Sequence, residues 1–267
     1  MTVISTAGPG TAAHIAREQI EQGADLVLAA GGDGTFNEVA EGMVHSRSTL
    51  GVLPAGTANV LATEMKLGSQ PDRAALALAQ CRPRRISMGR LTCDGGRVSR
   101  HFLLMAGAGL DAHIVTRVNP RLKARTGKFA YWTAGWSLLG RRLPEFQVEI
   151  DGSQSKCSFA LISKVRNYGG DFEIARGASL LEDCFEAVLF EGSSTFRYLK
   201  YFAGMALKRL SHMKGVTVLR ARRAVLSSPG LRPVYIQIDG ELAGQLPAEI
   251  EIVPDALTLL APADYRR

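Results

Sequence analysis

Between Leu26 and Val44 the chain does three things in order. Leu26 to Ala30 is an apolar run with no polar break. Gly31-Gly32-Asp33-Gly34 is a glycine-rich turn. Thr35 to Val44 then carries Phe36, Val39, Ala40 and Met43 at helical spacing. The run suits a parallel strand buried on both faces, and the apolar stripe suits a helix packed against it. The same order returns in Leu50 to Leu53, Pro54-Ala55-Gly56-Thr57 and Ala58 to Met65. Thr11 to Gln22, closed by Gly23, predicts a helix before the first run, and the alanine-rich stretch Pro71 to Gln80 predicts another after the second. Thr2 to Ser5 reads as a short strand. This alternation predicts an α/β domain over residues 1–84 with an open, mostly parallel sheet.

The pattern changes after residue 84. Short or period-2 apolar segments follow one another: Ile86 to Leu91, His101 to Met105, Phe146 to Ile150, Ser158 to Ile162, Ala187 to Phe190, Val216 to Leu219, Val234 to Ile238 and Glu249 to Ile252. Turns such as Asp94-Gly95-Gly96 and Asp151-Gly152 separate them. They predict a β-sandwich-like second domain over residues 85–267, interrupted by helices near Lys128 to Leu139 and Thr195 to Leu210. Cys81 to Arg85, with its proline and arginines, reads as the segment between the domains, and the last strand is a candidate to return to the first.

The charge pattern narrows the partners. The net charge is +7, gathered in Arg82 to Arg85, Arg117 to Lys128, Arg141-Arg142 and Lys208 to Arg223. Aromatic residues do not alternate with these cations as a single-strand nucleic-acid groove requires, which favours a phosphate ligand or an anionic membrane surface over nucleic acid. The longest apolar runs, such as Ala134 to Leu139, fall far short of the ~20 residues that span a bilayer. The N-terminus lacks the basic and apolar regions of a signal peptide, so a cytoplasmic protein is expected. Cys81, Cys93, Cys157 and Cys184 form no C-x-x-C pair and read as buried or half-buried thiols rather than disulfides or a zinc site.

Two glycine turns at equivalent places in adjacent strand–helix units point to a bound phosphate compound. Glycine lets backbone N–H groups approach phosphate oxygens, and a helix N-terminus adds positive potential. In an open α/β sheet the carboxyl ends of neighbouring strands face one crevice. Asp33 is a candidate to position a metal–phosphate complex or to accept a proton, and Thr35 to cap the helix or bond a phosphate. The turn matches neither the Walker A pattern nor G-x-G-x-x-G.

Gly31-Gly32-Asp33-Gly34-Thr35 followed by Leu53-Pro54-Ala55-Gly56-Thr57-Ala58-Asn59 resembles the diacylglycerol kinase catalytic-domain family, which includes bacterial lipid kinases and sphingosine kinases. Ala106 to Ala112, Lys123 to Tyr131, Asn167-Tyr168-Gly169-Gly170, Asp239-Gly240-Glu241 and Leu257 to Pro262 resemble later family segments in the same order. The resemblance implies transfer of the ATP γ-phosphate to a lipid hydroxyl, on diacylglycerol or a sphingoid-type acceptor, at an anionic membrane. Mg2+ would offset charge on the phosphates. Thr6, Gly31, Gly32, Asp33, Gly34, Thr35, Asn37, Glu38, Gly56, Thr57 and Asn59 would contact ATP. Glu241 matches the general base, with Asp33 the competing candidate. Asp183, helped by the carbonyls of Leu180 and Phe185, falls where the family binds a structural metal. The family's first strand and its Asn-Pro-x-Ser-Gly loop have no counterpart, so the chain is expected to start after them. Val60 stands where many members carry Asp, and Cys184 where Gly is common. The alternatives are an NAD kinase-like small-molecule kinase and a catalytically impaired nucleotide- or lipid-binding protein. A homodimer is left open.

Overall fold

The computed structural model describes residues 2–110, 112, 142–169, 172–207 and 209–265. The expected helix at Lys128 to Leu139, the basic segment Lys123 to Tyr131, the cluster Arg117 to Lys128, and Arg141, Gly170 and Lys208 lie outside the described residues. Among those described, no helix is long and apolar enough to cross a membrane.

The first part of the chain is built from α1 (Ala12–Glu21), β1 (Leu26–Gly31), α2 (Asp33–Met43), β2 (Thr49–Pro54), α3 (Val60–Glu64) and α4 (Pro71–Leu78). β1 and β2 pair in parallel, Leu26 opposite Thr49 and Gly31 opposite Pro54, so both glycine turns leave the sheet at one end. α2 seals this part: Phe36, Ala40 and Met43 are fully buried. Two sequence expectations change here. Thr2 to Ser5 form no strand, and this segment is exposed. β1 is not buried on both faces, because Leu26 and Leu28 stand 48% and 44% exposed. An apolar run gives a strand's composition but not how many neighbours cover it.

The remaining strands are β3 (Arg82–Cys93), β4 (Val98–Phe102), β5 (Met105–Gly109), β6 (Phe146–Ile150), β7 (Ser153–Cys157), β8 (Phe159–Ser163), β9 (Asn167–Tyr168), β10 (Phe172–Glu173), β11 (Phe185–Phe190), β12 (Val216–Ala221), β13 (Arg223–Ser227), β14 (Tyr235–Ile238), β15 (Glu241–Gln245) and β16 (Ala248–Ala261). Helix α5 (Thr195–Ala206) joins β11 to β12. One eight-stranded sheet runs β1-β2-β16-β13-β6-β7, with β3 on β16 and β4 on β3. Among the described strands the β1–β2 and β2–β16 pairs are parallel and the other pairs of this sheet antiparallel, so the whole sheet is mixed. The second, antiparallel sheet runs β12-β11-β8-β5-β14-β15.

The two sheets close on an apolar core. Phe102 of β4 stacks on Phe185 of β11 with ring centroids 5.7 Å apart. Phe146, Ile162, Leu226, Ile236 and Ile250 fill the layer around them. The fold is thus an N-terminal α/β unit and a C-terminal β-sandwich. Arg82 to Arg85, read as a linking segment, are strand: they pair with Thr258 to Ala261 of β16. β16 is therefore shared. Its start pairs with β13, and Thr258 and Leu259 pair in parallel with β2. The four cysteines are free thiols.

Candidate functional site

The two glycine turns touch. The Ala55 N–H donates to the Gly31 carbonyl at 2.7 Å. A Cβ on Gly56 would stand 2.5 Å from the Gly32 Cα, closer than any real Cβ contact. Gly31 lies under Thr35, whose Oγ1 would be 2.7 Å from a Cβ there. Small residues at these places are what lets the two loops close on each other. Asn59, in the left-handed region at φ 46°, braces the second loop: its Oδ1 accepts from the Gly56 N–H at 3.0 Å and its Nδ2 donates to the Gly56 carbonyl at 2.8 Å. Thr57 is exposed at the tip of that loop.

The two helices that follow these loops start differently. α2 has Gly32 at its N-cap and no side-chain cap. Its first N–H groups therefore face outward, the arrangement that binds anions. The start of α3 is filled instead: Asp33 Oδ2 accepts from the Val60 N–H at 3.0 Å, and Oδ1 from the Leu61 N–H at 3.1 Å. Asp33, singled out for metal or proton chemistry, thus ties one loop to the other helix. Glu38 is likewise engaged, accepting from the Gly10 and Ala12 N–H groups at the head of α1 at 2.8 and 3.2 Å. Asn37 is buried. Its Nδ2 donates to the His101 carbonyl at 3.4 Å, while its Oδ1 has no hydrogen-bond partner among the described residues. Thr6 lies on the exposed segment before α1.

Glu241 comes to this place from the far part of the sequence. It opens β15, and its Oε1 would stand 3.1 Å from a Cβ on Gly34, so the carboxylate lies over the first turn of α2. Arg100 of β4 faces its Oε2 at 3.4 Å, both side chains about two-fifths exposed. Nothing in the local sequence marks Arg100. The Glu41 carboxylate beside it accepts from the His101 N–H at 2.7 Å and lies 3.1 Å from Nδ1, which fixes β4 to α2.

Asp239, two residues before Glu241, holds this edge together. It is φ +47°, and its carboxylate accepts three backbone N–H bonds, from Leu103 at 2.8 Å, Leu104 at 3.0 Å and Met105 at 2.8 Å. Burial pushes its carboxyl from 3.8 up to about 7; the three donors pull it down, and the charge of Asp33 adds to the upward push. Between these values the folded chain keeps a proton that the unfolded chain has released. Stability should therefore fall as pH rises from about 4 to about 7 and level off above that. Asp239→Asn has no proton to lose, so urea midpoints of this variant should lack that slope. An equal slope in both proteins would show that other groups cause it.

The loop expected to hold a structural metal contains a cation of its own. Lys164 is fully buried, and its Nζ donates to the Ser87 Oγ at 2.8 Å and to the Glu182 carbonyl. Burial pushes it down to about 8, while Cys184 and Asp183 pull it up. Asp183 itself is exposed, and Leu180 and Phe185 are buried beside it. Among the described residues no three or more His, Cys, Asp or Glu side chains could hold a metal together. The Lys164 ammonium thus sits on the backbone of this loop, at the carbonyl next to Asp183.

Comparison with known proteins names the class of this two-part fold. Residues 1–91 match the diacylglycerol kinase catalytic domain. Residues 105–261 match the YegS C-terminal NAD kinase beta sandwich-like domain. The chain belongs to the diacylglycerol kinase catalytic-domain family, in the branch that carries this C-terminal domain. It is 28% identical over 256 residues to a diacylglycerol kinase of Mycobacterium tuberculosis (strain ATCC 25618 / H37Rv), covering 94% of this chain and 81% of the relative. To the diacylglycerol kinase of Bacillus subtilis (strain 168) it is 29% identical over 251 residues, covering 92% and 80%. A crystal structure of a diacylglycerol kinase from Bacillus anthracis str. Sterne shares the fold, with a TM-score of 0.76 at 18% identity over 97% of this chain and 85% of that one.

Proposed function

We propose that this chain is an ATP-dependent lipid kinase that phosphorylates the hydroxyl of a diacylglycerol or a sphingoid-type lipid. The observation that carries the reading is the position of Glu241 over the uncapped N-terminus of α2, where a phosphate group would sit. Gly32, Gly34 and Thr35 would hold ATP phosphates through their backbone N–H groups, with Thr57 facing them from the second loop. Mg2+, bound with the nucleotide, would offset charge on the β- and γ-phosphates.

In the reaction the acceptor oxygen bonds to the γ-phosphorus and the bond from that phosphorus to the β-phosphate oxygen breaks. The hydroxyl proton passes to Glu241, and ADP leaves. Glu241 suits the base better than Asp33, because both Asp33 oxygens already accept backbone N–H bonds. Arg100 would orient Glu241 and meet charge developing on the phosphate. The names of the relatives support a lipid acceptor, and the basic surface supports work at an anionic membrane. The test is transfer of label from ATP to diacylglycerol, sphingosine, ceramide or NAD presented in turn. Labelled lipid product is the expected result. Labelling of NAD alone, or of none of the four, would overturn the reading.

A further inference from the structure

One stripe of α2 carries both Glu241 and β4. Gly34, Asn37 and Glu41 follow one another at steps of three and four, so they share one side of the helix. The Glu241 carboxylate lies over Gly34, with Oε1 3.1 Å from where a Cβ would stand. Asn37 and Glu41 both reach His101 of β4, and they close on its backbone from two directions. Glu41 Oε2 accepts from the His101 N–H at 2.7 Å, and Asn37 Nδ2 donates to the His101 carbonyl at 3.4 Å. Glu41 Oε1 lies 3.1 Å from the ring Nδ1 as well.

These bonds stand in for a missing neighbour. Among the described strands β4 pairs only with β3. On its other edge a further strand would bond the N–H and carbonyl of His101. Two side chains of α2 take that strand's place. Arg100 is the next residue back along β4, and strand alternation sends its side chain off the opposite side from His101. Its guanidinium meets Glu241 Oε2 at 3.4 Å, a long contact with both side chains about two-fifths exposed. Such a pair holds little by itself. The Glu41 and His101 side chains, 30% and 19% exposed, are better sheltered from competing water. Where Arg100 stands is therefore set by the grip on its neighbour.

We propose that Glu41, with Asn37 beside it, is a positioning residue for phosphoryl transfer. It holds β4 at His101 so that Arg100 keeps the Glu241 carboxylate over the first turn of α2. The purpose of this clamp rests on the lipid-kinase reading, but the clamp is measurable without turnover. In Glu41→Ala, kcat should fall about 10- to 100-fold, the cost of a small misplacement. ATP affinity, read by calorimetry, should stay close to that of the parent. Glu41→Gln keeps an acceptor for the His101 N–H and should restore most of the lost rate. On an Arg100→Ala background, already slow, Glu41→Ala should cost only about twofold or less, because the clamp has nothing left to place. A merely structural role would let the two losses multiply. Exchange of the His101 amide, followed by nuclear magnetic resonance without substrate, should be slow in the parent and about tenfold or more faster in Glu41→Ala. In Arg100→Ala it should stay slow. A parent that phosphorylates no acceptor sinks the kinase reading, and the exchange rates then decide the clamp. An unprotected His101 amide in the parent, exchange unchanged in Glu41→Ala, losses that multiply, or a Glu41→Gln variant as slow as Glu41→Ala overturns the proposal.

Discussion

Replacing Glu241 by Gln should lower turnover of ATP and lipid by about 100- to 10,000-fold, the range set by removing a general base. The variant keeps the size and shape of the side chain and loses only its capacity to take a proton. Its fold should be unaffected: Glu241 is about two-fifths exposed, and its ion pair with Arg100 is of the exposed kind that contributes about 0–1 kcal/mol. ATP affinity, read by titration calorimetry, should stay within a few-fold, because the proposed function gives the phosphates to α2 and the glycine loops. Asp33→Ala gives the contrast. It strips two N–H acceptors from the head of α3, so it should lose about 1–2 kcal/mol of stability together with activity. Full activity in Glu241→Gln, with activity abolished in a stable Asp33→Ala, would move the base to Asp33.

Gly56→Ala should damage the site through its shape alone. The new Cβ would meet the Gly32 Cα at 2.5 Å and the Asn59 Oδ1 at 2.9 Å. Backbone cannot rotate away as a flexible side chain can, so the loops must part. The cost of such overpacking is about 1–3 kcal/mol. The functional loss should be larger than the loss of stability suggests. Parting the loops moves Gly32 and the start of α2 relative to Thr57, and nucleotide affinity should drop by about tenfold or more, ~1.4 kcal/mol. Gly152→Ala makes a fair control, since its Cβ would meet nothing within 4 Å and its positive φ strains only an exposed turn. Nucleotide affinity equal to the parent in Gly56→Ala would show that contact between the loops is not what forms the site.

Much of this site could be read along the chain, because its parts are local. A strand, a glycine turn and an apolar helical stripe declare themselves within twenty residues or so. What could not be read is long-range. Arg82 to Arg85 look like a linker because their side chains are charged, yet strand pairing uses backbone groups and leaves those side chains in water. Leu26 and Leu28 have the composition of a central strand, but exposure depends on what lies beside the strand. Asp33 and Glu38 look like ligand-facing acids because they sit in a glycine loop and its helix. The backbone N–H groups that occupy them belong to Val60, Leu61, Gly10 and Ala12. Arg100 meets Glu241 only because β4 and the start of β15 both lie beside α2. The ammonium of Lys164 in the loop expected to hold metal also had no local sign: a lone lysine after an apolar strand reads as surface.

The shared strand β16 has a consequence for how the chain is made. β2 lies between β1 and β16, and the partner that completes its backbone bonding, Thr258 and Leu259, is synthesised after every other described strand. While the chain is growing, the first half can form its helices and the β1–β2 pair but has an open edge on β2. That edge stays available to wrong partners until β16 emerges. The two glycine loops, carried on the ends of β1 and β2, are therefore set in their final positions only when β16 closes the sheet. Assembly of this sheet is non-vectorial: β2 waits for β16.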